Sequence, residues 1–207
     1  MTQAQGASAN GCVCGERGLL VRYDPPWHAQ DNMHIRLATL DDNEAVRQVC
    51  RTAFGAEDAT TVARLATEIL GEMSISKCIC LVSTTNEEVT GYAAFSPIRL
   101  SDGRLAGYIL APLGVMPSEQ RTGKGTALVE RGLELCREAG GGTAFVYGDP
   151  AYYCRFGFTV ELGRMYPAPY PLSMPHAWQA VHFAKVEGER PQGKLRCVSP
   201  LSSAELW

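Results

Sequence analysis

The sequence predicts an α+β domain, a mixed sheet with helices on its faces. Two observations lead there. Apolar runs of strand length, at His34–Ala38, Lys77–Ser83, Val89–Leu100, Leu105–Val115 and Thr143–Tyr147, alternate with segments whose apolar residues recur at helical spacing, in the order β-α-α-β-β-β-α-β-α-β. The chain's 207 residues, 45% of them hydrophobic, also suffice for one well-filled core.

Each element has a local cause. Residues 1–33 are rich in Gly, Ala, Gln and Asn at first and irregular through Asp24-Pro-Pro26. Without a sustained apolar period they are expected to form a tail or arm, pinned in part by Trp27, with residues 34–207 as a single domain. His34–Ala38 alternates and reads as the first strand. Thr39 and Asp42 resemble a capping box. Val46, Val49, Cys50, Ala53 and Phe54 then share one helical face, with Gly55 as the stop. Val62, Leu65, Ala66, Ile69 and Leu70 mark a second amphipathic helix, closed by Gly71. Lys77–Ser83 and Val89–Leu100 are strands joined through Thr84–Glu88, and the turn Ser101–Arg104 leads into the strand Leu105–Val115. A helix from about Gly123 to Ala139 buries Leu128, Gly132, Leu135, Cys136 and Ala139, and Gly140–Gly142 ends it. Thr143–Tyr147 is a short buried strand. Asp149–Phe156 reads as a brief helix with Pro150 in its first turn, where a missing N–H is tolerated. Past Phe158 a Pro-rich stretch, Tyr166–Pro171, precedes strand-like segments at Trp178–Val186 and Lys194–Val198, within residues 176–198.

Composition narrows the function classes. A net charge of −3 gives no electrostatic argument for a nucleic acid or an anionic membrane as partner. No run reaches the length of a membrane span, and the first residues lack an apolar signal core. Eight Cys at no framework-like spacing read as the reduced thiols of a cytoplasmic protein. The pairs Cys12/Cys14 and Cys78/Cys80 are spaced too closely for a structural zinc site, so no metal is expected. His34, His176 and His182 lie in or near strand-like segments and read as ordinary histidines.

The most informative stretch is Leu113-Gly-Val-Met-Pro-Ser-Glu-Gln-Arg-Thr-Gly-Lys-Gly-Thr-Ala-Leu128. A strand ends, Pro117 stops it, and a loop with Gly123 and Gly125 around Lys124 opens a helix. Glycines there let backbone N–H groups close on an anion, the helix dipole adds positive potential, and Arg121 and Lys124 bring charge. The spacing is not a P-loop, because no Gly opens it and Gly125 follows Lys124. Nor is it a dinucleotide fingerprint, since Leu128 stands where a third Gly is required. Alone, the loop also reads as a solvated turn with two surface charges.

Gln120-x-x-Gly123-x-Gly125 resembles the acyl-CoA pyrophosphate loop of the GCN5-related N-acetyltransferases (GNAT), and Gly148-Asp-Pro-Ala-Tyr-Tyr-Cys-Arg-Phe-Gly-Phe158 resembles that family's second signature. The Asp-Pro-Ala-Tyr-Tyr form is similar to the bacterial YhbS-type group. The resemblance covers His34 to Phe158, with core motifs at 105–158, and implies a mostly antiparallel central sheet flanked by helices. It implies acetyl-CoA as co-substrate and transfer of the acetyl group by direct attack of a primary amine, from a small-molecule or peptide acceptor. Gln120, Arg121, Thr122, Gly123, Lys124, Gly125 and Thr126 would surround the pyrophosphate. Leu113, Gly114 and Val115 would splay from Thr143–Tyr147 and pair with the pantetheine arm, the Val115 N–H polarising the thioester carbonyl. Leu113 and Val115 read as core residues as well.

Tyr153, five residues before Phe158, occupies the family's general-acid position. A thiol resembling cysteine, of pKa about 8.5, leaves as a thiolate that a phenol of pKa near 10 can protonate. The competing reading of Tyr153 is a core aromatic; Tyr152 points elsewhere on the helix. Many members of that family carry a Glu on the strand before the loop, whereas Gly107–Val115 has neither carboxylate nor imidazole. A base would come from Glu57, Glu72, Asp149 or a water chain. An acyl-cysteine on Cys136 or Cys154 is disfavoured, with no His nearby in sequence. Tyr166–Pro171 either walls the acceptor pocket or rigidly connects to the last strands. The competing function is a non-catalytic acyl-CoA-binding or regulatory module on the same fold. A homodimer is compatible with every observation.

Overall fold

The computed structural model describes residues 33–183 and 193–207. The expected N-terminal arm, with Trp27 and the Cys12/Cys14 pair, lies outside the described residues, as does the end of the strand expected to reach Val186.

The strands are β1 (Met33–Leu37), β2 (Ile79–Thr85), β3 (Glu88–Leu100), β4 (Leu105–Val115), β5 (Thr143–Tyr147), β6 (Trp178–His182) and β7 (Leu195–Arg196). The helices are α1 (Asn43–Ala53), α2 (Ala56–Ser76), α3 (Lys124–Glu138), α4 (Pro150–Tyr153) and α5 (Val160–Gly163). One sheet runs β1-β2-β3-β4-β5-β6, with β7 paired to the end of β3. Every pairing is antiparallel except β4 with β5, so the sheet is mixed and mostly antiparallel, as expected.

Strand alternation divides the core into two layers. Tyr92, Ala94 and Ile98 of β3 face the layer of α1 and α2, with Val46, Val49, Ala66, Ile69 and Leu70. Ala93 and Phe95 face the layer of α3, with Leu128, Val129, Leu133 and Cys136. The β2–β3 hairpin turns on Asn86 and Glu87, both at positive φ (49° and 70°), a geometry whose twist matches that of the flanking strands.

The expected capping box forms. The Asp42 carboxylate accepts from the Thr39 N–H at 2.7 Å and from its hydroxyl at 3.1 Å, and takes a bidentate pair of hydrogen bonds from Arg36 at 2.7 Å each. The Arg36 guanidinium, helped by the Thr39 N–H, holds the Asp42 carboxyl below the usual carboxylate range. A carboxyl lowered in this way stabilises the fold above its unfolded pKa and ceases to as pH falls through the folded value.

Four expectations need correction, and the first concerns α3, which buries Val129 and Leu133 beside Leu128, Gly132 and Cys136 while Ala139 is exposed just past its end. Gly71 does not close the second helix, which continues to Ser76 and ends on Lys77 in the left-handed conformation (φ 59°). A mid-helix Gly costs only about 1 kcal/mol, and the continuation lets Met73 pack on the core. The short α5 was not foreseen; Thr159 caps it by accepting from the Leu162 N–H at 3.2 Å. The last strand, β7, is briefer than the pattern at Lys194–Val198 suggested, since it has only the end of β3 to pair with. Among the described residues, no helix is long and apolar enough to cross a membrane.

Candidate active site

The site begins where two parallel strands part. β4 pairs with β5 only at Tyr108–Leu110, opposite Ala144–Val146. Beyond Leu110, β4 continues along β3, where the register shifts across Ala111 and Pro112 as Ala93 meets Leu113 while Phe95 meets Leu110. The Met116 N–H donates to the Thr90 carbonyl at 2.9 Å. Antiparallel alternation then assigns Gly114 to the set bonded to β3 and leaves the backbone groups of Leu113 and Val115 facing the opening gap. The Val115 carbonyl accepts from the Gln120 side-chain amide at 3.2 Å, so Gln120 fixes the end of the strand. Gly114 answers a packing need as well: a Cβ there would lie 3.3 Å from the Ala53 Cβ and 3.4 Å from the Phe54 ring.

The loop after β4 presents the bare helix end that the sequence predicts. Arg121 (φ 64°) and Gly123 (φ 89°) are left-handed, α3 starts at Lys124, and no side chain caps it. The first N–H groups of α3 therefore remain available to an anion. The two loop cations differ. Arg121 is exposed and forms no ion pair with a described residue. Lys124 is 3% exposed; its ammonium contacts Glu119 at 2.5 Å and Thr122 Oγ1 at 3.4 Å, and Thr122 in turn donates to the Glu119 carbonyl at 2.6 Å. Lys124 thus staples the loop shut, its charge neutralised, and the free charge is that of Arg121.

The gap opens into a cavity of about 570 Å³ bounded by β4, the start of α4, α2 and the last residues of the chain. Tyr152 and Tyr153 both line it. The Asp149 carboxylate caps α4 by accepting from the Ala151 N–H at 2.9 Å. Gly148 makes room for Tyr153, whose ring would lie 2.6 Å from a Cβ there. The Gly148 N–H donates to the Ala177 carbonyl at 3.0 Å, and the buried Gln179 amide donates to the Gly148 carbonyl at 3.0 Å. β6 thus fixes the turn that carries the tyrosines. The Tyr153 ring packs edge-on against Phe158 with centroids 5.8 Å apart, and burial pushes its phenol well up.

Tyr152 was expected to point away from the site, but it spans the cavity to the loop. Its hydroxyl reaches the start of α3, where a Cβ on Gly125 would meet it at 2.7 Å. Gly125 is thus the gap through which Tyr152 reaches the start of α3. That role needs contacts between distant segments, and no local pattern marks it.

Comparison with known proteins identifies the family. The profile of the family described as "Acetyltransferase (GNAT) domain" matches residues 34–160. The chain belongs to the GNAT acetyltransferases. A GNAT family acetyltransferase from Brucella melitensis, solved with acetyl-CoA, is 28% identical at a TM-score of 0.64, covering 83% of this chain and 99% of that one. YhbS of Escherichia coli, solved with CoA, is 28% identical at a TM-score of 0.63, covering 75% and 83%. In sequence, the uncharacterized N-acetyltransferase YhbS of Escherichia coli is 40% identical over 79 residues, 38% of this chain. The match spans only 47% of that relative's length.

In this GNAT chain the remaining candidates separate clearly. Asp149 lines the cavity, whereas Glu72 accepts from the Ser76 hydroxyl at 3.2 Å in a neighbouring groove and Glu57 lines neither. Two carboxylates not singled out from the sequence, Asp58 and Glu205, do line the cavity. Cys136 is fully buried in α3, and burial pushes its thiol up, away from the thiolate that an acyl-cysteine would need. His182 meets the Thr143 hydroxyl at 3.1 Å on the sheet, and His34 and His176 are exposed. Tyr166–Pro171 does not line the cavity; its Tyr170 braces the chain's last residues by donating to the Ser202 carbonyl at 2.8 Å.

Proposed function

We propose that this chain is an acetyl-CoA-dependent N-acetyltransferase that moves the acetyl group to a primary amine by direct attack. The observation that carries the reading is the parting of β4 from β5 beside an uncapped glycine-rich helix start, the two ends of one continuous binding track. The residues present fit the co-substrate. The N–H groups at the start of α3, with Arg121 beside them, would hold the pyrophosphate, and the Leu113 and Val115 backbone would pair with the amide-bearing arm. Bound there, acetyl-CoA supplies an activated acetyl thioester.

The chain's own residues then divide the chemistry. The Val115 N–H points into the gap and stabilises negative charge developing on the thioester oxygen. Gln120 keeps that N–H in place through its bond to the Val115 carbonyl. Tyr153, protonated because burial raises it, donates its phenolic proton to the departing sulfur. The same burial disfavours a free thiolate as it does a free phenolate, so the two effects offset one another in the proton transfer. β4 offers no carboxylate; of the bases the sequence offers, Asp149 is the one that lines the cavity, and it would receive the amine's proton through water.

The missing base on β4 is the one observation that favours a non-catalytic acyl-CoA-binding module. Two measurements separate the readings. Calorimetry should show saturable acetyl-CoA binding by wild type, weakened about tenfold in Arg121→Ala through loss of a charge-assisted phosphate contact. Thiol release from acetyl-CoA with a panel of primary amines should show turnover. Tight binding with no thiol release from any amine would leave the non-catalytic module.

A further inference from the structure

The cavity beyond the gap has a chemistry of its own. Three exposed carboxylates line it, Asp58, Asp149 and Glu205, and among the described residues no Lys, Arg or His does. Asp149 is engaged at the α4 N–H, whereas Asp58 and Glu205 make no side-chain hydrogen bond or ion pair with a described residue. One part of the cavity wall is aromatic and fixed. Tyr147 and Trp207 stack with centroids 6.2 Å apart. The Tyr147 hydroxyl is bonded to Ser173 Oγ at 2.9 Å and accepts from the Met174 N–H at 2.9 Å. The Trp207 indole N–H donates to the Leu201 carbonyl at 3.3 Å, and its ring also lies edge-on to Trp178 at 5.9 Å. Val62 and Leu65 of α2 complete the apolar lining. Arg121, the free cation of the loop, does not line the cavity.

Taking the acetyl-transfer reading as its basis, we infer that the acceptor is a primary amine borne as an ammonium on an aromatic or apolar body that carries no carboxylate. Aromatic faces and anionic side chains both attract an organic cation, and they do so more strongly away from water. The apolar body gains by burial against Tyr147, Trp207 and α2. An acceptor with a carboxylate beside its amine would bring that charge against Asp58 and Glu205 with no cation to offset it, so the lining rejects such amines as well as attracting the others.

The test uses 2-phenylethylamine and phenylalanine, which share the aromatic body and amine and differ by a carboxylate. Calorimetry on the full chain saturated with CoA should show saturable binding of 2-phenylethylamine, with phenylalanine about tenfold weaker or worse. The double variant Asp58→Asn, Glu205→Gln should weaken 2-phenylethylamine about tenfold and narrow the preference, with melting temperature and CoA affinity retained. Equal binding of the two probes, no binding of 2-phenylethylamine, or a double variant indistinguishable from wild type would overturn the inference. Turnover is read separately. Selective amine binding without thiol release would sink the catalytic reading and leave only the cavity's preference for such amines standing. Thiol release fastest with a carboxylate-bearing amine would do the reverse.

Discussion

Replacing Tyr153 by phenylalanine should lower kcat by about 100-fold or more, the range of general acid catalysis, with acetyl-CoA affinity nearly unchanged. The phenyl ring keeps its packing against Phe158 and its place over Gly148, so only the proton donor is removed. Burial holds the phenol protonated beyond the ordinary tyrosine range, and the donating form therefore persists through alkaline assay conditions. Tyr152→Phe should behave differently. Its hydroxyl lies against Gly125 at the start of α3, so its loss should weaken acetyl-CoA binding more than it slows the chemical step. Steady-state kinetics with an accepted amine, read beside calorimetry, distinguish the two. Wild-type kcat in Tyr153→Phe would remove that residue from the mechanism and leave solvent to protonate the thiolate.

The largest stability effect is expected at Gly132. A Cβ there would stand 1.9 Å from Phe95 Cε2 and 2.2 Å from Cζ, and Phe95 is fully buried with nowhere to turn. Alanine favours an exposed helix by about 1 kcal/mol over glycine, yet overpacking of a filled core costs about 1–3 kcal/mol or more. Gly132→Ala should therefore destabilise the fold, lowering the melting temperature by several degrees. Gly71 supplies the control, since a Cβ there would meet no other part of the protein within 4 Å beyond its own helix backbone and chain neighbours, on the exposed side of α2. Gly71→Ala should raise the melting temperature slightly by propensity alone. The opposite order of the two would show that α3 does not press against β3 as described.

Much of this architecture is legible in the sequence for simple reasons. β4 reads from its continuous apolar run because both of its faces are covered, and α3 reads from a stripe that includes Gly132. What the stripe does not reveal is why a glycine belongs in it, because the answer is the ring of Phe95 on another strand. The loop glycines announce an anion site through local backbone chemistry alone. The partnering of Lys124 with Glu119 does not show, because it depends on how the loop folds back over Thr122. Gly71 misleads, since its stop signal is overridden where the helix still has Met73 to bury. The acceptor side was least visible. Asp58, Tyr147 and Glu205 meet only through the fold, and the turns at Ser199–Leu201 and Ala204–Leu206 are too short to carry a period.

The central claim is that one track, from the start of α3 to the gap between β4 and β5, holds acetyl-CoA. A crystal structure of the chain grown with CoA tests it most directly. The account predicts the pyrophosphate within about 3 Å of backbone N–H groups in the Gly123–Thr126 stretch, the ordinary hydrogen-bond distance, with the pantetheine arm beside Leu113 and Val115 and its sulfur facing Tyr153. A pyrophosphate bound away from that helix start, or an arm that leaves the β4–β5 gap closed, would contradict it.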